Sequence, residues 1–85
     1  RRVDELLHHH AQRLDHAYAL VEPGASAFDV AKRLTWTRRE RLFGELDLSN
    51  QMLAVTETAA HLDLLVAQGR LRADEVDGVR RYHLA

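Results

Sequence analysis

The chain has no cysteine, one proline, four glycines and one methionine in 85 residues, and these scarcities remove whole classes of chemistry. Without cysteine there is no disulfide, zinc knuckle or thiol nucleophile, a composition that fits a reducing compartment such as the cytoplasm. No apolar run approaches the roughly 18 residues of a membrane-spanning helix, and no signal-peptide pattern opens the chain. A phosphate loop, a G-x-S-x-G elbow and a dinucleotide fingerprint are all missing. Neither sign of charge dominates: 12 Lys and Arg face 13 Asp and Glu, a net charge of −1. No global field therefore draws the protein to nucleic acid or an anionic membrane, and any such contact must come from a local patch.

The length sets a further bound. One domain over residues 1–85 can bury about 60–65% of its unfolded surface, which leaves room for one core and one site. The chain opens without Met, already inside a helical pattern at Arg1. We expect a C-terminal fragment of a longer polypeptide.

The segment from Glu57 to Tyr82 organises what is present. It reads as the second half of an amphipathic helix, a stop at Gly69, a strand over Arg70–Ala73, a turn at Asp77-Gly78 and a return strand over Val79–Leu84. Gly69 suits the left-handed position that closes a helix. Asp-Gly suits a type I′ turn, which needs positive φ at both central residues. In the return strand, alternation sends Tyr82 and Leu84 toward the helices.

Upstream, Val3, Leu7, His10, Leu14, Ala17/Tyr18 and Val21 recur at spacings of three and four, the repeat of one helix face. Pro23-Gly24 ends that helix. Ser26 with Asp29 forms a capping box opening a shorter helix through Phe28, Val30, Ala31 and Leu34. Residues 35–48 read as a loop with about one helical turn, pinned to the core by its aromatics. Ser49 or Asp47 can cap a third helix whose apolar stripe is Met52, Val55, Ala59, Leu62 and Val66. The order α-α-turn-α-β-β predicts an α+β, mainly α fold: a winged helix, in which a three-helix bundle carries a C-terminal β-hairpin wing.

The polar residues give few candidates for chemistry. His8, His9 and His10 are consecutive on a helix and point about 100° apart, so they cannot converge on one metal ion. Glu57 and His61 lie one turn apart, but two ligands are too few for zinc and a structural contact is the preferred reading. The expected catalytic, cofactor and metal sites of these 85 residues are therefore none. For nucleic acid, Arg38, Arg39 and Arg41 beside Trp36, and Arg80 and Arg81 on the wing, are the candidate contacts. Against them, Ser49–Gly69 contains no Lys or Arg and adds Glu57 and Asp63, so a third helix placed in a major groove would be repelled.

His9, His10, Arg13 and Leu14 in the first helix, Ala27 to Ala31 opening the second, and Glu57, His61, Leu62, Leu65 and Gly69 leading into the wing occur in a suggestive order. Together they resemble the small C-terminal winged-helix domain appended to metallo-β-lactamase-fold hydrolases, the group that includes β-lactamase-like and glyoxalase-II-like proteins. The resemblance covers nearly the whole chain. It implies an accessory domain whose first helix and wing pack on the chain's own N-terminal catalytic domain, shaping its active-site rim or a homodimer contact. Zinc would belong to that missing domain, because the H-x-H-x-D-H signature is absent here. His9, His10, Arg13, Trp36 and His61 are then the candidate domain-interface residues. A free-standing nucleic-acid-binding winged helix is the alternative, and a membrane partner is not expected.

Overall fold

The computed structural model describes the backbone of residues 2–36 and 41–85, with side chains from residue 11 onward. Three helices and two small antiparallel hairpins make a mainly helical α+β fold: α1 (Arg2–Leu20), α2 (Ala27–Ala31), β1 (Thr35–Trp36), β2 (Arg41–Leu42), a 3-10 turn (Phe43–Glu45), α3 (Leu48–Ala67), β3 (Leu71–Val76) and β4 (Val79–Leu84). No helix among the described residues is long and apolar enough to cross a membrane.

Local chemistry explains where the elements begin and end. Ser26 caps α2: its hydroxyl accepts from the Asp29 N–H at 3.2 Å, and the Asp29 carboxylate accepts from the Ser26 N–H at 3.0 Å. The expected capping box is therefore closed from both sides. Ser26→Ala should cost about 0.5–2 kcal/mol, the usual range for an N-cap, read as a lowered urea midpoint at unchanged m. Asp47, rather than Ser49, caps α3, accepting from the Asn50 N–H at 2.8 Å.

The end of α3 is a Schellman motif. Gly69 takes φ +77°, the Arg70 N–H donates to the Leu65 carbonyl at 2.9 Å, and the Gly69 N–H donates to Val66 at 3.0 Å. Left-handed backbone at this position costs glycine nothing and other residues about 1–2 kcal/mol. The reversal throws the chain straight into β3. At the far end Asp77 and Gly78 have φ of +53° and +79°, the type I′ turn, and the register runs from Val76↔Val79 to Leu71↔Leu84. β3 thus begins one residue later, at Leu71, and ends three residues later, at Val76, than the expected Arg70–Ala73 strand.

The core is built from Ala17, Val21, Ala25, Val30, Ala31, Leu34, Trp36, Phe43, Ala54, Leu62, Leu65, Leu71 and Tyr82. α3 packs against α1, α2 and β3. The turn between α1 and α2 is stitched to β4, where Ala25 bridges Tyr82: the Tyr82 N–H donates to Ala25 at 2.8 Å and the Gly24 N–H to Tyr82 at 3.0 Å. That bridge closes the fold between its first and last elements.

Four expectations are corrected. The buried stripe of α3 is Ala54, Thr58, Leu62 and Leu65, whereas Met52 is 64% exposed. α3 is apolar on several sides, so its phase is chosen by close approach to α2, which small side chains at 54 and 58 permit. Thr58 is buried because its hydroxyl donates back to the Ala54 carbonyl at 2.8 Å, satisfying it within the helix. Phe28 points outward on the five-residue α2, with Val30 and Ala31 facing the core. Leu84 shares the Tyr82 face yet is exposed, because the cover over β4 ends before the strand does. Within 35–48, Thr35 and Trp36 pair with Leu42 and Arg41 in a short hairpin before the 3-10 turn. The expected anchors hold there, with Trp36 and Phe43 both buried. Val3, Leu7 and His10, placed on the inner face of α1, lie outside the residues whose side chains are described.

Candidate functional site

Two polar clusters and two grooves are the features to weigh. The first cluster joins Arg13 and Trp36. The indole N–H of Trp36 donates to the Ala31 carbonyl at 3.1 Å. Arg13 donates to the Thr35 carbonyl at 3.2 Å, and its guanidinium carbon lies 4.6 Å from the centre of the Trp36 ring. A guanidinium over an indole contributes about 0.5–1 kcal/mol at such a partly exposed site. Trp36 also walls a groove of about 190 Å³ with Leu46, Asn50, Leu53, Ala54 and Glu57. His61 follows Glu57 by one turn and is half-buried. His9 and His10 lie outside the described side chains, and Arg38 and Arg39 outside the described residues altogether.

The second cluster ties the terminal hairpin to the helices through two carboxylates. Asp63 on α3 accepts from the Tyr82 hydroxyl at 2.6 Å and from Arg80 Nε at 2.9 Å, while Arg80 Nε also lies 3.3 Å from the tyrosine oxygen. Burial first, and the bond to Asp63 second, push the Tyr82 phenol up to about 12. Asp29 on α2 accepts from Arg81 at 3.3 Å, and Lys32 stands 3.8 Å away. Its carboxyl is held below the usual carboxylate value, chiefly by the Ser26 backbone N–H. Arg81 donates in addition to the Gly24 carbonyl at 3.2 Å. Arg80 and Arg81, two of the arginines that nucleic-acid binding would use, are therefore each committed to a carboxylate. Arg41 is exposed.

The third feature was not visible from spacing. Phe28 from α2, Phe43 from the 3-10 turn, and Leu48, Met52 and Val55 from α3 wall an apolar groove of about 350 Å³, and none of its lining residues is charged. The two phenylalanines meet edge to face, ring centres 5.7 Å apart at 83°. Leu48 is 73% and Phe28 48% exposed. The i, i+4 pair Leu48 and Met52 was the available signal, but the same residues read equally well as one edge of a core stripe.

No three His, Asp or Glu side chains among the described residues stand together as metal ligands would. Nor does a nucleophile sit beside a base in any of these features. These features offer aromatic and aliphatic area, with the Arg80 and Arg81 guanidinium groups already paired.

The family model described as Metallo-beta-lactamase-like, C-terminal domain, matches residues 14–85. A solved beta-lactamase domain protein from Burkholderia ambifaria is 35% identical with a TM-score of 0.77, over 99% of this chain and 24% of that one. The chain thus spans 24% of the length of that relative. No curated protein matches it.

Proposed function

The chain belongs to the metallo-beta-lactamase-like C-terminal domain family, and from that membership we propose that it is the accessory winged-helix domain of a zinc-dependent metallo-β-lactamase-fold hydrolase. In this reading it packs on the catalytic domain preceding it and shapes the rim of the active site or a dimer contact. Zinc and the bond-breaking step belong to the preceding domain, and the protein works in the cytoplasm.

The observation that carries this reading is the family match over residues 14–85. The geometry is compatible with it, because three helices followed by a terminal antiparallel hairpin are in the element order of a winged helix. The surface also offers exposed apolar area suited to a neighbouring domain. The nucleic-acid alternative is weaker on the same surface. Arg80 and Arg81 are paired with Asp63 and Asp29, and α3 carries no Lys or Arg to meet phosphates.

Removal of this domain from the full-length chain is the test. Misplacing a rim by about 1 Å can cost on the order of 100-fold in rate, so hydrolytic turnover should fall by a factor of that order, or the oligomer should dissociate. Unchanged turnover and unchanged assembly, measured by steady-state kinetics and light scattering, would remove the proposal. Retention of nucleic acid with a steep salt dependence would favour the alternative, since each phosphate contact releases counterions.

A further inference from the structure

We propose that the apolar face made by Phe28, Phe43, Leu48, Met52 and Val55 is the seat of the preceding domain. On this view α2 and the first turns of α3, rather than α1 and the terminal hairpin, carry the interdomain contact. The inference rests on the reading above, that a catalytic domain precedes this one, and adds which surface it covers.

Phe43 at the floor of this face belongs to the core and Val55 packs against it, but the exposed part of the face, Phe28, Leu48 and Met52, is not needed by the domain's own core. α3 buries Ala54, Thr58, Leu62 and Leu65 internally, while Met52 and Leu48 remain 64% and 73% exposed. Phe28 stands beside them at 48%, although Val30 and Ala31 of the same short helix are wholly buried. Single exposed apolar residues need no explanation, but a contiguous group around one groove marks a contact surface. An uncharged lining is the second mark, because the centre of an interface is depleted of charged residues and rich in Phe and Met; Lys32, 4.7 Å from the centre of the Phe28 ring, stands at its edge. The hairpin differs in that its exposed Val76, Val79 and Leu84 are interspersed with charge. Asp74, Glu75, Arg80 and Arg81 crowd it, with Arg80 and Arg81 bridged back to Asp63 and Asp29 and His83 to Asp74.

The occupant follows from chain length and patch size. The solved relative matches this chain over only 24% of its own length, and the matching family model is that of a C-terminal domain. Three-quarters of such a polypeptide therefore lies elsewhere in the same chain. A handful of exposed large side chains is little for a complex between separate molecules, which buries about 800 Å² on each partner. Within one chain the linker supplies an effective concentration in the millimolar range, and interdomain contacts of about 600–1,500 Å² hold.

Hydroxyl-radical footprinting of the full-length chain reads this directly. Met52 is the only methionine in these 85 residues, so its oxidation reports on one position. Phe28, Leu48 and Met52 should react several-fold more slowly in the intact chain than their exposure in the isolated fold implies, while Val76 and Leu84 keep the reactivity of open side chains. Met52→Asp, at an exposed position where the domain still folds, should restore reactivity at Phe28 and Leu48; Val76→Asp in the hairpin should not. A protected hairpin beside a reactive Met52 would overturn the choice of face and leave the accessory reading standing. Full reactivity of both surfaces would overturn both. Protection that disappears on dilution would assign the face to a second copy and overturn the proposal as stated.

Discussion

Tyr82→Ala is expected to remove about 3–5 kcal/mol, the range for deleting a buried aromatic ring. Tyr82 is 1% exposed and the largest fully buried side chain among the described residues. Its backbone bridges Ala25, its ring fills the space between β4 and the helices, and its hydroxyl reaches Asp63 at 2.6 Å. A domain of this length holds about 4–13 kcal/mol in all, so the variant should lose most of its urea midpoint or fail to fold. Tyr82→Phe separates packing from polarity. It keeps the ring and leaves Asp63 with Arg80, so it should cost about 0.5–1.5 kcal/mol, the net value of one hydrogen bond.

The same substitution carries a pH signature. The native phenol is pushed up to about 12 by burial and the Asp63 bond, against about 10 in an unfolded chain. The native state therefore holds this proton more tightly. Its contribution is complete below about pH 10 and is lost as pH rises through about 12. Urea melts across that window should show stability falling in the parent, and this component of the fall should be missing in Tyr82→Phe. An identical alkaline loss in both proteins would mean that Tyr82 is not its source.

Leu62→Ala is the second large effect, expected at about 2–5 kcal/mol, as for other buried leucines. Leu62 is completely buried where α3 meets the rest of the core, whereas Leu64, two residues along the same helix, is 45% exposed. Leu64→Ala should stay within roughly 0.5 kcal/mol, the range of ordinary surface changes. The pair tests the rotation of α3 as well as the depth of Leu62. A loss under roughly 1 kcal/mol at Leu62 would show that it is not a core residue, since truncation there should open a cavity.

Several parts of this architecture can be read directly from neighbouring residues. Asp77-Gly78, Gly69 and the Ser26 to Asp29 box each act over six residues or fewer, through an allowed φ or a hydrogen bond to a nearby backbone group. Nothing distant has to be known to place them. The β1–β2 hairpin escaped the same treatment because two residues on each side offer too little alternation to register as strands. The rotation of α3 escaped it for a different reason. Leu53, Val55, Leu62, Leu64, Leu65 and Val66 surround the helix axis, so more than one stripe would satisfy an apolar partner.

The candidate surface divides along the same line. Arg13 and Trp36 could be singled out individually, but their stacking depends on α1 and β1 being brought together across 22 intervening positions. Arg80 and Arg81 looked like free cations because their carboxylates, Asp63 and Asp29, lie 17 and 52 residues away in the chain. The charge-free groove at Phe28 and Met52 could not be anticipated, since both residues were equally suitable for the interior.

The order of the three helices and the terminal hairpin, the capped start of α2, the glycine stop of α3 and the turn of that hairpin were determined by the sequence alone, through helical periodicity and local backbone energetics. Tertiary structure decided which apolar residues were buried, which cations were paired, and which apolar face was left open. Those outcomes depend on competition for a limited interior and on contacts between distant segments, where individually similar side chains receive different environments.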